Sequence, residues 1–128
     1  MDIAIQLFQR IDDESGEAVD PLDGVLTVDG LPHQRVIVAR MAITDPHIEL
    51  IGEATEFWGQ CVPAGRRALP DGPPELWESV TMHDPGQQEF SFNVPVLVLA
   101  SVSGNYEVAV YARRSEVART SLVIAVDG

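Results

Sequence analysis

Segments in which apolar and polar residues alternate recur along the chain, and turn-forming residues separate them about every ten positions. The clearest of these segments are residues 3–10, 89–93, 106–111 and 122–126, and the alternation in 89–93 predicts that Phe90 and Phe92 face inward. Residues 36–39 are apolar on both faces, which predicts a central strand. Alternation with a period of two places successive side chains on opposite faces of a β-strand. About seven to nine such short segments are present, which predicts an all-β, antiparallel sandwich or barrel.

Length and composition agree with a single domain. The chain has 128 residues, of which 45% are hydrophobic, enough for a buried core. We therefore expect residues 1–128 to form one β-sandwich domain. The single cysteine, Cys61, excludes an intrachain disulfide, which is typical of a reducing compartment.

Two structures compete for residues 45–58. Asp45 and Pro46 are typical of the beginning of a helix, because proline suits the first helical position. Gly52 lies within the same segment and costs a helix about 1 kcal/mol relative to alanine. We favour a strand here and keep one short helix around 45–58 as the alternative.

Glycine and proline mark the expected turns and interruptions. Asp29 and Gly30 favour a hairpin turn after a strand at 25–28. Proline and glycine are frequent in residues 59–74, which predicts a long irregular loop, and such loops are often functional. Pro95 lacks a backbone N–H and predicts an edge position, a bulge or a strand break.

The charge is strongly unbalanced. The chain carries 20 acidic residues against 8 basic ones, a net charge of −12, and all the bases are arginine. Codon bias in a GC-rich bacterial genome is one explanation, and adaptation to high salt is another. In either case nucleic acid and anionic membranes would be repelled, whereas a basic protein would be attracted.

The apolar segments are short. The longest uninterrupted runs, such as Val96 to Ala100, have five residues, far below the roughly 18 residues of a membrane span. Asp2 stands where a secretory signal would carry basic residues. We therefore expect a cytoplasmic protein without a membrane partner.

The segment Gly104-Asn105-Tyr106-Glu107-Val108 resembles the start of the penultimate strand of immunoglobulin-like sandwiches. In that superfold a tyrosine two residues before a cysteine bonds back to the backbone and forms a tyrosine corner. Here Val108 replaces the cysteine and Val102 replaces a preceding acid. The resemblance covers about the last forty residues and implies a fold, not a function.

Two groups of residues are candidate binding sites. Trp58 and Trp77 bracket the proline-rich loop, which also contains Arg66 and Arg67. The tryptophans either anchor the loop to the core or form a binding surface, since tryptophan and arginine dominate interface hot spots. The second group lies on the last predicted hairpin, where it could protect a sheet edge, pair with the acidic segment or bind an anion: Arg113, Arg114 and Arg119.

Metal-binding patterns are weak. His33, His47 and His83 each lie beside a turn, and no two of them have the spacing of a zinc motif. The acidic segment 12–23 could bind calcium, but Gly16 falls one place too early for an EF-hand. We therefore predict no metal ligands.

Catalytic patterns are equally weak. Cys61 would need a lowered pKa to act as a nucleophile, and Arg66 and Arg67 are its nearest cations in sequence. The chain has no Gly-x-Ser-x-Gly elbow and no phosphate-binding glycine loop. We predict no catalytic residues and no cofactor.

These observations favour a non-catalytic module that binds a protein partner through its loops and an acidic face. One specific form is an inhibitor or immunity-type protein that captures a basic partner such as a nuclease. The alternatives are a structural subunit of an oligomer or phage particle, in which the chain forms a homo-oligomer, and a metal-assisted hydrolase.

Overall fold

The computed structural model describes residues 2–44, 54–65, 76, 78–81, 89–113 and 115–127. These residues form nine strands and no helix, so the chain is all-β. The strands are β1 (Asp2–Ile11), β2 (Ala18–Pro21), β3 (Val25–Val28), β4 (His33–Thr44), β5 (Ala54–Pro63), β6 (Glu78–Thr81), β7 (Glu89–Ala100), β8 (Gly104–Ala112) and β9 (Ser115–Val126).

The strands form one mixed sheet that curls into a half-barrel, in the order β2-β1-β4-β7-β5-β8-β9-β3. A short strand, β6, pairs with β5 beside this path. No described helix is long and apolar enough to cross a membrane. The alternative of a helix around 45–58 is wrong for residues 54–58, which belong to β5, and residues 45–53 lie outside the described part.

The prediction of a purely antiparallel sheet is wrong. β5 and β7 are parallel at Gly59–Val96 and Gln60–Leu97, because the return strand β6 between them restores the chain direction. β3 is parallel to β9 over its whole length. These two pairings connect elements that a simple series of hairpins would keep apart.

The hairpin predicted at Asp29-Gly30 does not form. β4 is already paired on one side with β1 and on the other with β7, so it has no free edge for β3. β3 instead extends the sheet beside β9, and this buries Leu26 and Val28 almost completely. Burial of these two side chains outweighs the local turn preference.

The concave side of the half-barrel encloses the main core. Many inward-facing residues of the central strands, such as Ile37, Val96 and Val108, have no exposed surface, as their alternation with outward neighbours predicts. Phe92 packs on Phe57 at a ring-centroid distance of 4.6 Å, and Phe90 packs on Phe92 at 5.6 Å. The inward orientation predicted for both phenylalanines of β7 is therefore confirmed.

Pro95 does not break its strand. β7 keeps an unbroken register with β4, in which Pro95 lies opposite Val38. On its other side β7 pairs with β5 at only two positions, Val96 and Leu97. Pro95 has no N–H to donate, and a strand with few pairs on one side tolerates this loss.

A buried tyrosine fixes the loop before β8. Tyr106 is 4% exposed, and its hydroxyl donates to the Val102 carbonyl oxygen at 2.6 Å. We expect Tyr106→Phe to lower the free energy of unfolding by about 1–2 kcal/mol, because it removes one buried hydrogen bond and little volume. Urea denaturation checks this value, and a variant as stable as the parent would contradict it.

Candidate functional site

A second apolar cluster lies on the convex side of the sheet, opposite the main core. Trp58 of β5 and Tyr111 of β8 are adjacent in register and stack with ring centroids 4.4 Å apart and an interplanar angle of 12°. Trp58 is 4% exposed and Tyr111 is 6% exposed. They pack with the fully buried Ala109 and the half-buried Val62.

Trp58 also connects the two predicted binding groups. Its indole N–H donates to the Arg113 carbonyl oxygen at 2.7 Å. Arg113 follows β8, adopts a positive φ of 58° and donates its backbone N–H to Glu56 at 3.0 Å. Trp58, from the first group, and Arg113, from the second, therefore belong to one structural unit at the β8–β9 turn.

The Arg119 guanidinium is neutralised by two acids on the same side of the sheet. It lies 2.5 Å from a Glu116 carboxylate oxygen and 3.5 Å from a Glu107 carboxylate oxygen. The Gly65 backbone N–H also donates to Glu107, and this bond, with the charge of Arg119, lowers the pKa of Glu107. Arg119 bonds to these acids rather than to the acidic segment 12–23.

The remaining predicted site residues lie outside the described part of the chain: Arg66, Arg67, Trp77 and Arg114. The binding surface built on the proline-rich loop therefore stays a prediction. One part of it changes, because residues 59–63 are not loop but the end of β5, where Pro63 pairs with Tyr106. The ladder to β8 extends the strand despite the local glycine and proline.

Tyr111 is the described site residue that the sequence interpretation missed. Its partner Trp58 is more than fifty positions away, so only the register of β5 with β8 reveals the pair. Burial, and next the negative charge of Glu116, raise the pKa of Tyr111, whereas Arg119 opposes this shift. The tyrosine therefore stays neutral at physiological pH and serves as a packed ring.

The acidic segment 12–23 is more ordered than the predicted loop. Residues 18–21 form β2, which pairs with β1 and leaves a short hairpin tip at residues 12–17. In the tip, the Ser15 hydroxyl donates to the Asp12 carboxylate at 2.9 Å and lowers its pKa. The Asn93 side-chain amide donates to the Gly16 carbonyl at 3.3 Å.

Metal-binding geometry is absent from the described residues. Within them, no three side chains of histidine, cysteine, aspartate or glutamate converge as metal ligands, and this includes the whole acidic segment 12–23. His33 begins β4 and lies opposite Ala100. His47 and His83 lie outside the described part.

Cys61 belongs to the main core rather than to a reactive site. Its side chain faces inward from β5 and packs against the core. Burial raises its pKa from 9.0 to about 11. A thiol with this pKa is almost entirely protonated at neutral pH and is a poor nucleophile.

We expect the folded protein to react slowly with a thiol reagent. At pH 8 the raised pKa lowers the thiolate fraction about 100-fold. Unfolding in guanidinium should restore the rate of a free cysteine. A folded rate equal to the unfolded rate would contradict this assignment.

The free energy of unfolding should also fall as the pH rises above about 9, because the thiol of the unfolded chain ionises there while the thiol of the folded chain does not.

The described residues form a mixed half-barrel with a Trp–Tyr stack on its convex side and an acidic surface. No protein-family model matches the chain, and no curated protein matches it either.

Proposed function

We propose that this chain is a non-catalytic interaction domain that captures a basic protein partner. The observation that carries the proposal is the imbalance of surface charge. The chain has 20 acidic residues and 8 arginines, for a net charge of −12. A field of this size attracts a cationic surface from a distance and speeds association.

The eight arginines balance fewer than half of the acidic residues. Arg10 pairs with Asp20 at 3.0 Å, and Arg119 is enclosed by Glu107 and Glu116. Exposed acids occur on the hairpin tip, on the turn before β4 and along several strands: Asp2, Asp13, Glu14, Glu17, Asp23, Asp29, Glu78, Glu89 and Asp127. A phosphate backbone or an anionic membrane is repelled by the same field.

The chemistry of the described side chains supports binding rather than catalysis. The thiol of Cys61 is partly buried and stays protonated at neutral pH, and Tyr111 is a packed ring. An inhibitor or immunity-type protein is the most specific form of this function, because capture of a basic enzyme benefits most from electrostatic steering.

The partner can be recovered with the tagged protein from a lysate of the source organism. We expect one stoichiometric basic protein in low salt, released as salt rises, because salt screens exposed charges. Mass spectrometry identifies it. An empty eluate from a folded protein would contradict the proposal, and native mass at several concentrations would then test self-assembly.

The proline-rich loop is the proposed contact region on this domain. Trp58 is buried and its indole holds the β8–β9 turn through Arg113, so we assign it a structural role rather than direct contact with a partner. Arg66, Arg67 and Trp77 are the proposed contacts. The test is deletion of residues 66–74, which leaves β5 intact. Unchanged partner affinity in a folded deletion variant would refute this role.

We also propose that the half-barrel is an open form of the immunoglobulin-like sandwich. One feature supports this relation. The Tyr106 hydroxyl bonds to the Val102 carbonyl, as in a tyrosine corner. An experimental structure tests it by the order and direction of the strands in two packed sheets.

A further inference from the structure

We propose that the open seam of the half-barrel, between β1 and β9, binds an extended peptide segment as an added strand. Both strands are paired on one side only over much of their length. The rest of each free edge is covered. β2 pairs with β1 within Phe8–Ile11, and β3 pairs with β9 at Val123–Val126. The proposal rests on the proposed function in one respect, that the partner is a basic protein.

The backbone groups along β9 face the seam in a regular pattern. The Val123 N–H donates to the Gly24 carbonyl at 2.8 Å, on the side away from β8. Alternate residues of a strand point their N–H and C=O groups to the same side. Arg119 and Ser121 therefore present their backbone groups to the seam, and no described residue bonds to these groups.

β1 presents a matching pattern from the other side. The Leu22 N–H donates to the Leu7 carbonyl at 2.9 Å, on the side of β1 away from β4. By the same alternation, Ile3 and Ile5 direct their N–H and C=O groups into the seam. Unpaired strand edges of this kind are templates for a further strand, and proteins often protect them with lysine or proline. This chain has no lysine, and neither stretch contains a proline.

The core is also open at this place. Ile3 and Ile5 of β1 and Val117 and Ala118 of β9 pack against the core but stay half-buried. Core residues such as Val96, Val108 and Leu122 have no exposed surface. An added strand with an apolar residue at every second position would cover these four side chains and pair with the free edges.

The seam must widen to accept a strand. β1 and β9 have Cα atoms within 8 Å of each other, whereas an inserted strand needs about twice the 4.8 Å spacing of paired strands. A cleft of about 150 Å³ already separates them, lined in part by Gln6, Leu22 and Thr120. We therefore expect docking to move β1 away from β9 by about 2 Å or more.

The charges around the seam select a basic peptide. Asp2 begins β1, Asp23 lies at the other end of the cleft, and Glu116 lies on β9. Arg119 lies beside the seam, and its charge is offset by Glu107 and Glu116. Arginine or lysine at the polar positions of the added strand would therefore be favoured.

The test uses a displayed library of random twelve-residue peptides, selected on the wild-type protein. Peptides with alternating apolar residues and basic residues between them should be enriched. Ser121→Pro removes one seam-facing N–H and should weaken their binding about tenfold or more. Ser121→Ala is the matched control, because it removes the same hydroxyl but keeps the N–H, and it should bind within about twofold of wild type.

Hydrogen exchange on the wild-type protein gives a second readout that does not depend on any variant. Binding of an enriched peptide should protect the backbone amides of Ile3, Ile5, Arg119 and Ser121. Failure to enrich any peptide, or equal binding to Ser121→Pro, would overturn the seam assignment. Peptides that bind the proline variant equally and are released by salt would overturn it while leaving capture of a basic partner intact. A protein that elutes as a stable dimer with these amides protected would instead assign the seam to a second copy.

Discussion

Gly59→Ala should destabilise the protein by about 1–3 kcal/mol, a cost typical of an inserted methyl group in a close-packed core. A β-carbon at position 59 would lie 2.7 Å from the Val96 side chain and 3.4 Å from the Ala109 carbonyl oxygen. Gly59 is paired on one side with Val96 and on the other with Val110, so neither neighbour can move freely. This glycine permits β5 and β7 to approach and thereby joins the two halves of the half-barrel.

Thermal or urea denaturation measures the effect, and Gly30→Ala is the matched control. Nothing lies within 4 Å of a β-carbon built at Gly30, so that variant should stay within about 0.5 kcal/mol of wild type. Val96→Ala in the Gly59→Ala background should recover part of the loss, because it removes the clashing methyl group. A Gly59→Ala protein as stable as Gly30→Ala would mean that the two strands do not meet as described.

Trp58→Ala should cost about 3–5 kcal/mol, the largest effect that we expect from a single substitution in this chain. It removes a side chain that is 4% exposed, its stack on Tyr111 and its bond to the Arg113 carbonyl. Since small domains are stable by only about 5–15 kcal/mol, this variant should be partly unfolded at moderate temperature.

Trp58→Phe separates the ring from its hydrogen bond. Phenylalanine keeps an aromatic ring against Tyr111 but cannot donate to Arg113, so we expect a smaller loss of about 1–2 kcal/mol. Urea denaturation of both variants gives the difference. Equal losses for the two variants would place the stabilisation in the indole N–H rather than in the stack, and no loss for either would contradict the burial of Trp58.

The sequence predicted the local features of this fold well. The β8–β9 hairpin and the inward orientation of Phe90 and Phe92 follow from alternation within a few residues, and the structure confirms them. The apolar residues on both faces of positions 36–39 also indicated a central strand, and β4 lies between β1 and β7. Each of these predictions depends on a pattern that the chain carries in one place.

The features that the sequence did not predict depend on contacts between residues that lie far apart in the chain. The turn preference of Asp29-Gly30 was overcome because β4 had no free edge, and only the complete strand order reveals this. Glycine and proline at residues 59–63 suggested a loop, yet pairing of β5 with β8 extends the strand. The Trp58–Tyr111 stack could not be predicted for the same reason, because it depends on the register between two strands that lie far apart in the sequence.

The central claim is that an acidic surface captures a basic partner, and the association rate of the purified pair tests it most directly. Two variants each remove three exposed negative charges: Asp13→Asn/Glu14→Gln/Glu17→Gln at the hairpin tip, and Asp29→Asn/Glu78→Gln/Glu89→Gln elsewhere. The rate for the wild-type protein should fall about tenfold or more as salt rises from about 20 to 500 mM, while the dissociation rate changes little. Both variants should associate more slowly, with the tip variant slower if the partner approaches from that side. An association rate that is independent of salt and unchanged in both variants would contradict the account.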